Sequence, residues 1–340
     1  MINAAVIGLG TWGKTMVESL AGSDTMRFVS LQTRTMSPDV EAFAKQHSLR
    51  LADSYEAVLA DPKIDAVALA TPPSGHLQQI VAAANAGKHV YCEKPFTFSK
   101  KEAETAIAAM RKAKRTVGVG YNRRFHPEMI KLHDRVKAGE LGVIQHIEAS
   151  MTYPNALFLP PTVWRSNKSE APLGGLAPMG VHAIDAMIYL TGTIDQVYCQ
   201  SFARTVQNGT DDTTSMLFRM KDGMSGYLGT MTTTGAGFSF QVFGSKGWHR
   251  LEGVTHVAGA PSEERRTRQF GVCKFQPVKG PLETWEAEKL DIVRATFEAF
   301  ARAAEGGAPF PIPPEQIIHG ASVSEAVIRS AASGTVEKVA

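Results

Sequence analysis

The sequence predicts an α/β protein in two parts: an N-terminal doubly wound parallel sheet, then an α+β domain carrying a mostly antiparallel, open-faced sheet. Three observations predict it. Short apolar runs alternate with helical patterns through residues 1–120, which implies parallel strands joined by crossover helices. The first apolar run ends in a glycine-rich turn that opens a helix. Beyond residue 120, strand-like segments follow one another through turn residues, as in an antiparallel sheet. A chain of 340 residues exceeds the length at which single cores usually split, so the expected domains are 1–120 and 121–340.

Each element has its own signal. Ile2–Ile7 is apolar and β-rich, and Thr11–Leu20 reads as the helix after it. Arg27–Gln32 is a second strand and Val40–His47 a second helix. Ile64–Ala70, His89–Cys92 and Thr116–Val119 are further strands, separated by helices over 75–86 and 100–113. In the second part Val143–Tyr153, Gln196–Arg204, Thr213–Met220, Met224–Thr233 and Ser239–Phe243 read as longer strands, with turns at Asn208-Gly209 and Asp222-Gly223. A helix near 180–190 interrupts the sheet, and helices over 284–305 and 315–332 close the chain. The open face of such a sheet commonly pairs with another subunit, and Phe240, Val242 and Phe243 are its candidates, for a dimer or tetramer.

Composition narrows the function. Lys plus Arg is 36 and Asp plus Glu 33, a formal charge of +3 that is too small to argue for nucleic acid or an anionic membrane. Arg265, Arg266 and Arg268 form the one basic cluster, and the adjacent Glu263 and Glu264 suggest a solvated, self-compensated loop. Cys92, Cys199 and Cys273 are too few and odd in number for a disulfide framework. Ile184–Leu190 is the nearest approach to a spanning helix, and Asp185 and His182 break it. With no signal-peptide pattern at the N-terminus, the expected location is the cytoplasm.

The turn after the first strand is Gly8-Leu9-Gly10-Thr11-Trp12-Gly13. In that position it is the fingerprint of a Rossmann dinucleotide-binding domain: Gly8 for the tight turn, Gly10 for approach of a pyrophosphate, Gly13 for close helix packing. The helix start offers free N–H groups to phosphate. A carboxylate that reads the ribose 2′-hydroxyl belongs ~20 residues on. The second strand ends instead in Thr33-Arg34-Thr35, donors and a cation that suit a 2′-phosphate. NADP(H) is therefore the expected cofactor, with NAD(H) possible. No metal site is expected.

Two more strand ends carry candidates. Thr71-Pro72-Pro73-Ser74-Gly75-His76 offers Thr71, Pro72 and His76 to the cofactor crevice. Glu93-Lys94-Pro95 places a carboxylate and an ammonium there, and Pro95 restricts Lys94 to extended backbone. A partly desolvated Lys94 can polarise a carbonyl or share a proton with a hydroxyl.

With these motifs, and with Gly120-Tyr121-Asn122-Arg123-Arg124-Phe125, Gly139–Ile144, Trp164-Arg165 and Gly180-Val181-His182-Ala183-Ile184-Asp185, the chain resembles the Gfo/Idh/MocA oxidoreductase family over almost its whole length. The resemblance implies hydride transfer between nicotinamide and a sugar, polyol, cyclic diol or related carbonyl. It implies that Lys94 contacts the reacting oxygen, that His182 lies near it, and that Trp164 and Arg165 border the cleft. Asn122 is a substrate or supporting residue. Asp185 either orients His182 or favours the helix N-terminus. Arg123 and Arg124 read as structural ion pairs or supporting groups. One position departs from the family: many of its dehydrogenases have Asp four residues before the His, and Pro178 stands there. Proline cannot carry a proton, so Lys94 and His182 are the catalytic candidates. Alternatives within the resemblance are an NAD-dependent cyclic cis-dihydrodiol dehydrogenase and a non-catalytic cofactor-binding regulator.

Overall fold

The computed structural model describes residues 1–160, 163–206, 209–256 and 259–340. The first elements are β1 (Ile2–Ile7), α1 (Thr11–Ser19), β2 (Met26–Gln32), α2 (Pro38–Gln46), β3 (Arg50–Leu51), α3 (Tyr55–Ala60), β4 (Ala66–Leu69), α4 (His76–Asn85), β5 (His89–Cys92), α5 (Lys100–Lys112) and β6 (Val117–Val119). Next come α6 (Pro127–Lys137), β7 (Ile144–Thr152), α7 (Val181–Thr191), β8 (Ile194–Phe202), β9 (Thr213–Met220), β10 (Ser225–Met231), β11 (Gly237–Gly244) and β12 (Gly247–Gly253). The chain ends with α8 (Ser262–Thr267), β13 (Phe270–Pro277), β14 (Glu283–Glu286), α9 (Ile292–Ala304), α10 (Pro314–Ser333) and β15 (Glu337–Lys338). Two compact units result, Met1–Asn122 with Asp291–Ile318, and Arg123–Leu290 with His319–Ala340.

In the first unit, among the described residues, β1 to β6 form a parallel sheet in the order β3-β2-β1-β4-β5-β6. A parallel strand is buried on both faces, so it needs a continuous apolar run. β1 and β4 meet this: Ala4, Ala5, Val6, Ala66, Val67, Ala68 and Leu69 are all fully buried. Serines start three of the helices. Ser37, Ser54 and Ser99 accept hydrogen bonds from the backbone of Val40, Ala57 and Glu102, at the N-termini of α2, α3 and α5.

The segment 291–318, placed by sequence in the second domain, packs in this first unit. Phe297 of α9 lies 4.2 Å from the ring of Tyr91 and 5.6 Å from that of Phe28. Gly118 makes room for it, because a Cβ there would meet Phe300 at 2.9 Å. The helix expected over 284–305 is shorter. Thr284–Glu286 instead pair with β13 as a strand, and the Asp291 side chain accepts from the Arg294 N–H to start α9.

The second unit holds a sheet in the order β14-β13-β12-β11-β7-β10-β9-β8-β15. It is mostly antiparallel; β7 and β10 run parallel. Side chains alternate across it. Ile147, Ala149 and Met151 of β7 face inward with Phe238, Phe240 and Val242 of β11, all at most 5% exposed. Phe240 and Val242 are thus core residues and cannot serve the open face; only Phe243 lies on it, opposite Trp248 and His146. The Asp222-Gly223 turn forms as expected, with Gly223 at φ +93 and Asp222 accepting from the Met224 N–H. Asn208, of the other expected turn, lies outside the described residues. The periodicity argument misses β12, β13 and β14. Their charged residues break the apolar pattern and pair across strands instead, as Lys274 does with Glu252 at 3.1 Å. The basic cluster is no loop: Arg265 and Arg266 lie in α8 and are half-buried.

Four histidines are folded away uncharged. Burial holds His89 at about 4, His126 at about 4, His249 at about 3 and His256 at about 4, against 6.5 for a free imidazole. The unfolded chain therefore binds more protons below pH ~6.5, and stability is lost as pH falls from there to ~4. The fully buried His126 and His249 each contribute a slope of up to about 1.4 kcal/mol per pH unit in that window, and the part-exposed His89 and His256 less. Urea denaturation at pH 6.5, 5.5 and 4.5 is expected to show this decline, and His249→Leu to reduce its slope. An unaltered slope in the variant would remove His249 from the account.

Candidate active site

In the first unit, the carboxyl ends of the parallel strands gather the candidates. Gly8 takes φ +91, and a Cβ there would lie 2.8 Å from Ala70 O. At Gly13 a Cβ would meet Gly8 O at 2.2 Å. The chain's own packing demands both glycines. Gly10 differs, since a Cβ there would meet nothing within 4 Å. Its missing side chain leaves the backbone open to a group from outside. The N-terminus of α1 has no side-chain cap and no acidic residue in its first turn, so its N–H groups face outward. Trp12 Nε1 is buried with no hydrogen-bond partner. An open backbone, an uncapped helix start and an orphaned donor fit the phosphates of a dinucleotide. Gly8 N–H donates to Gln32 O at 2.8 Å, which sets Thr33-Arg34-Thr35 directly after the strand beside this turn. Arg34 and Thr35 are exposed and Thr33 half-exposed.

Thr71 and Pro72 stay at the rim of the crevice, half-exposed, with Thr71 Oγ1 donating to Gln79 Oε1 at 2.6 Å. His76 does not. Its side chain is fully buried, with Nδ1 3.0 Å from Pro95 O and Nε2 3.0 Å from Thr71 O. It ties the Thr71 turn to the Lys94-Pro95 turn from beneath and has no surface to offer a cofactor.

Glu93 is buried at the end of β5, where its Oε2 accepts from the Lys94 N–H at 3.2 Å. The space for its carboxyl exists because residue 120 is glycine: a Cβ there would stand 2.4 Å from Glu93 Oε1. Lys94 is half-buried, and its peptide bond to Pro95 is cis. Asn122 is buried and accepts from the Tyr91 hydroxyl at 2.9 Å, a supporting contact.

In the second unit, His182 sits in the first turn of α7, half-exposed on a helix otherwise buried nearly throughout. A π-helical turn, Leu176–Gly180, leads into it and contains Pro178. Gly174 and Gly175 set that turn against the sheet. A Cβ on Gly174 would overlap Asp211 O at 1.9 Å, and one on Gly175 would meet Thr230 Oγ1 at 2.5 Å. Asp185 takes neither expected role. Both its oxygens are held by Arg124, Oδ2 by Nε at 2.7 Å and Oδ1 by Nη2 at 2.6 Å, with both side chains buried. Burial raises the Asp185 carboxyl above its usual range, and Arg124 opposes that rise. Arg124 is thus the structural ion pair expected; Arg123, its neighbour, has no carboxylate partner among the described residues and stacks 5.1 Å over Phe238. Trp164 and Arg165 are exposed, the guanidinium 4.2 Å over the indole. Sequence reasoning missed Asp212, buried, whose Oδ2 accepts from the N–H groups of Arg204, Thr205 and Val206 at 3.0, 2.6 and 3.0 Å. No spacing pattern announces such a knot.

A sheet in this order, with a glycine turn at its centre and an ammonium at a strand end, defines an NAD-binding oxidoreductase fold. Residues 2–121 match the oxidoreductase family with an NAD-binding Rossmann fold, and residues 129–250 match the GFO/IDH/MocA C-terminal domain. The chain belongs to the Gfo/Idh/MocA oxidoreductase family. It is similar to the uncharacterized oxidoreductase YrbE of Bacillus subtilis, 30% identical over 255 residues that cover 72% of each chain. It is also similar to a myo-inositol 2-dehydrogenase of Thermotoga maritima, 26% identical over 280 residues, 77% of this chain and 79% of that one. Among solved structures, the aldose-aldose oxidoreductase of Caulobacter crescentus superimposes with a TM-score of 0.85, covering 99% of each chain at 23% identity, a likeness of fold.

Removing one partner of the Arg124–Asp185 pair is expected to cost about 3–5 kcal/mol, because it strands a buried charge. Asp185→Asn should show that loss in urea denaturation, while Arg124→Met with Asp185→Leu should recover most of it. A single variant as stable as the wild type would mean that water reaches the guanidinium.

Proposed function

We propose that the chain is an NADP(H)-preferring oxidoreductase of a small hydroxyl or carbonyl compound, with the first unit, residues 1–120 and the returning 291–318, serving the cofactor and the remainder of 121–340 the substrate and subunit pairing. The observation that carries the reading is Lys94, half-buried at the carboxyl end of β5 beside the buried Glu93. Strand ends of this kind line the cofactor crevice of a doubly wound sheet. The similarity to a myo-inositol 2-dehydrogenase supports a polyol, sugar or cyclic alcohol as partner. Among the described residues no helix is long and apolar enough to cross a membrane. With three buried, free cysteines, a cytoplasmic location fits. Phe243, Trp248 and His146 on the open sheet face are the candidate contacts of a homo-oligomer.

Bound nicotinamide supplies the hydride donor or acceptor. The chain's residues would do the rest. Oxidation of an alcohol releases a proton, and reduction of a carbonyl consumes one. Lys94, as an ammonium, stabilises developing negative charge on the reacting oxygen without any change of state. An imidazole titrates near neutrality and can take or give a proton. His182 is therefore assigned the proton and Lys94 the electrostatic role, with Pro178 unable to share either. Glu93 and Gly120 would hold the Lys94 backbone in place.

Arg34 is exposed at the end of β2, with Thr33 before it and no acidic residue at the strand tip. Charge-assisted bonds to a 2′-phosphate are worth about 1.5–3 kcal/mol, roughly a tenfold to hundredfold preference for NADPH over NADH. Fluorescence titration of both cofactors checks this, and Thr33→Asp is expected to reverse the order. Equal affinities would defeat the cofactor assignment.

Lys94→Met is expected to lower turnover by ~10²–10⁴ with cofactor affinity nearly intact. His182→Asn should cost ~10²-fold and erase the low-pH limb of kcat/KM for alcohol oxidation. If that limb persists in the variant, the proton belongs to Lys94 or to a water chain.

A further inference from the structure

Arg123 is the anomaly of the second unit. It is 9% exposed, its Nε is buried without a hydrogen-bond partner, and among the described residues no carboxylate pairs with it. Its guanidinium lies over an aromatic face, Phe238 on β11, at 5.1 Å. Arg124, the next residue, shows the ordinary solution: bidentate to Asp185 and equally buried. A guanidinium stacked on a ring, with its Nε buried and unpartnered and no anion beside it, leaves part of its lost hydration uncompensated. Desolvation correspondingly lowers its pKa to about 10.

The surroundings are positive as well. Arg123, Arg265 and Arg268 all disfavour a proton on His256, so their charges bear on one place. Glu264 opposes them and is engaged by Arg268 at 3.2 Å. Gln269, buried, is tied into the same cluster, its Nε2 donating to Arg265 O at 2.6 Å and lying 3.2 Å from His256 Nε2. The turn Asn122–Phe125 thus sends one guanidinium to α7, the helix of His182, and the other to an aromatic wall beside a cationic cluster.

We infer that Arg123 anchors an anion subsite in the second unit, and that the substrate presents a carboxylate to it. The inference rests on the reading of the chain as an oxidoreductase of small hydroxyl or carbonyl compounds, whose substrate it narrows to acids such as aldonates, uronates and related hydroxy acids. Guanidinium and carboxylate match as a two-pronged pair, and Phe238 beneath the guanidinium holds it planar to the approaching oxygens.

The test uses the full chain with NADP⁺ and pairs each acid with its neutral counterpart: D-glucuronate with D-glucose, D-gluconate with D-glucitol, D-glycerate with glycerol. The acid of at least one pair should exceed its counterpart roughly tenfold to a thousandfold in kcat/KM. Arg123→Met should erase that preference through KM, with kcat changed only a few-fold, and Arg123→Lys should restore part of it. Turnover that favours the neutral members, or ignores the charge, overturns the inference and leaves the oxidoreductase reading intact. If no pair turns over, malonate decides. It should raise the melting temperature of the wild type and of Arg123→Lys, but not of Arg123→Met. No rise in the wild type, or an equal rise in Arg123→Met, overturns the subsite. Failure to bind either NADPH or NADH in the separate titration overturns the oxidoreductase reading instead.

Discussion

A buried charge pair in the second unit, Arg124 with Asp185, constrains much of what surrounds it. The two residues lie 61 apart in sequence and meet through two side-chain hydrogen bonds of 2.6 and 2.7 Å and a third to the Asp185 carbonyl at 3.3 Å, both side chains buried. Such a pair tolerates little change of geometry, because either charge alone would be stranded in a medium that solvates it poorly. It therefore fixes the Asn122–Phe125 turn against α7. The same guanidinium lies 4.9 Å over Tyr189, whose ring stacks on His133 of α6 at 4.2 Å. A turn and two helices are locked by one interaction, and His182 sits one turn before Asp185 on the locked helix.

The glycines of the two units do comparable work by different means. Gly8, Gly13, Gly120, Gly174 and Gly175 each stand where a Cβ would overlap a neighbour. They bring backbone or carboxyl groups closer than any other residue permits. Gly120 lets Glu93 bury its carboxyl beneath the backbone of Lys94, and Gly174 and Gly175 press the π-helical turn onto the sheet below His182. In both units the candidate side chain is exposed only in part while the backbone carrying it is held from beneath. That arrangement orients a reactive group without spending the group itself on structure. His76 shows the reverse case, a polar side chain absorbed wholly into holding two turns together.

Legibility in the sequence followed the range of the interactions. The parallel sheet, its crossover helices and the glycine turn were readable because buried strands, helix caps and phosphate-binding turns depend on residues within a few positions of each other. β12, β13 and β14 were not, since their charged residues break the apolar pattern and several find partners on other elements, as Lys274 does with Glu252 and Glu283 with Arg135. The helix expected over 284–305 starts late for the same reason: Thr284–Glu286 is a strand because β13 lies beside it, and the helix runs over Ile292–Ala304.

Taken alone, the sequence determined the class of fold, the glycine turn, the strand ends that carry Thr33, Lys94 and Glu93, and the absence of a carboxylate at 178. These are local facts of residue type and spacing. Only the tertiary structure decided that residues 291–318 return to the first unit, that His76 is a buried tie, that Phe240 and Val242 are core, and that Asp185 belongs to Arg124. It also decided which of two adjacent arginines has an acid to face. Each of these depends on burial and on partners distant along the chain, and neither composition nor periodicity encodes which distant groups will meet.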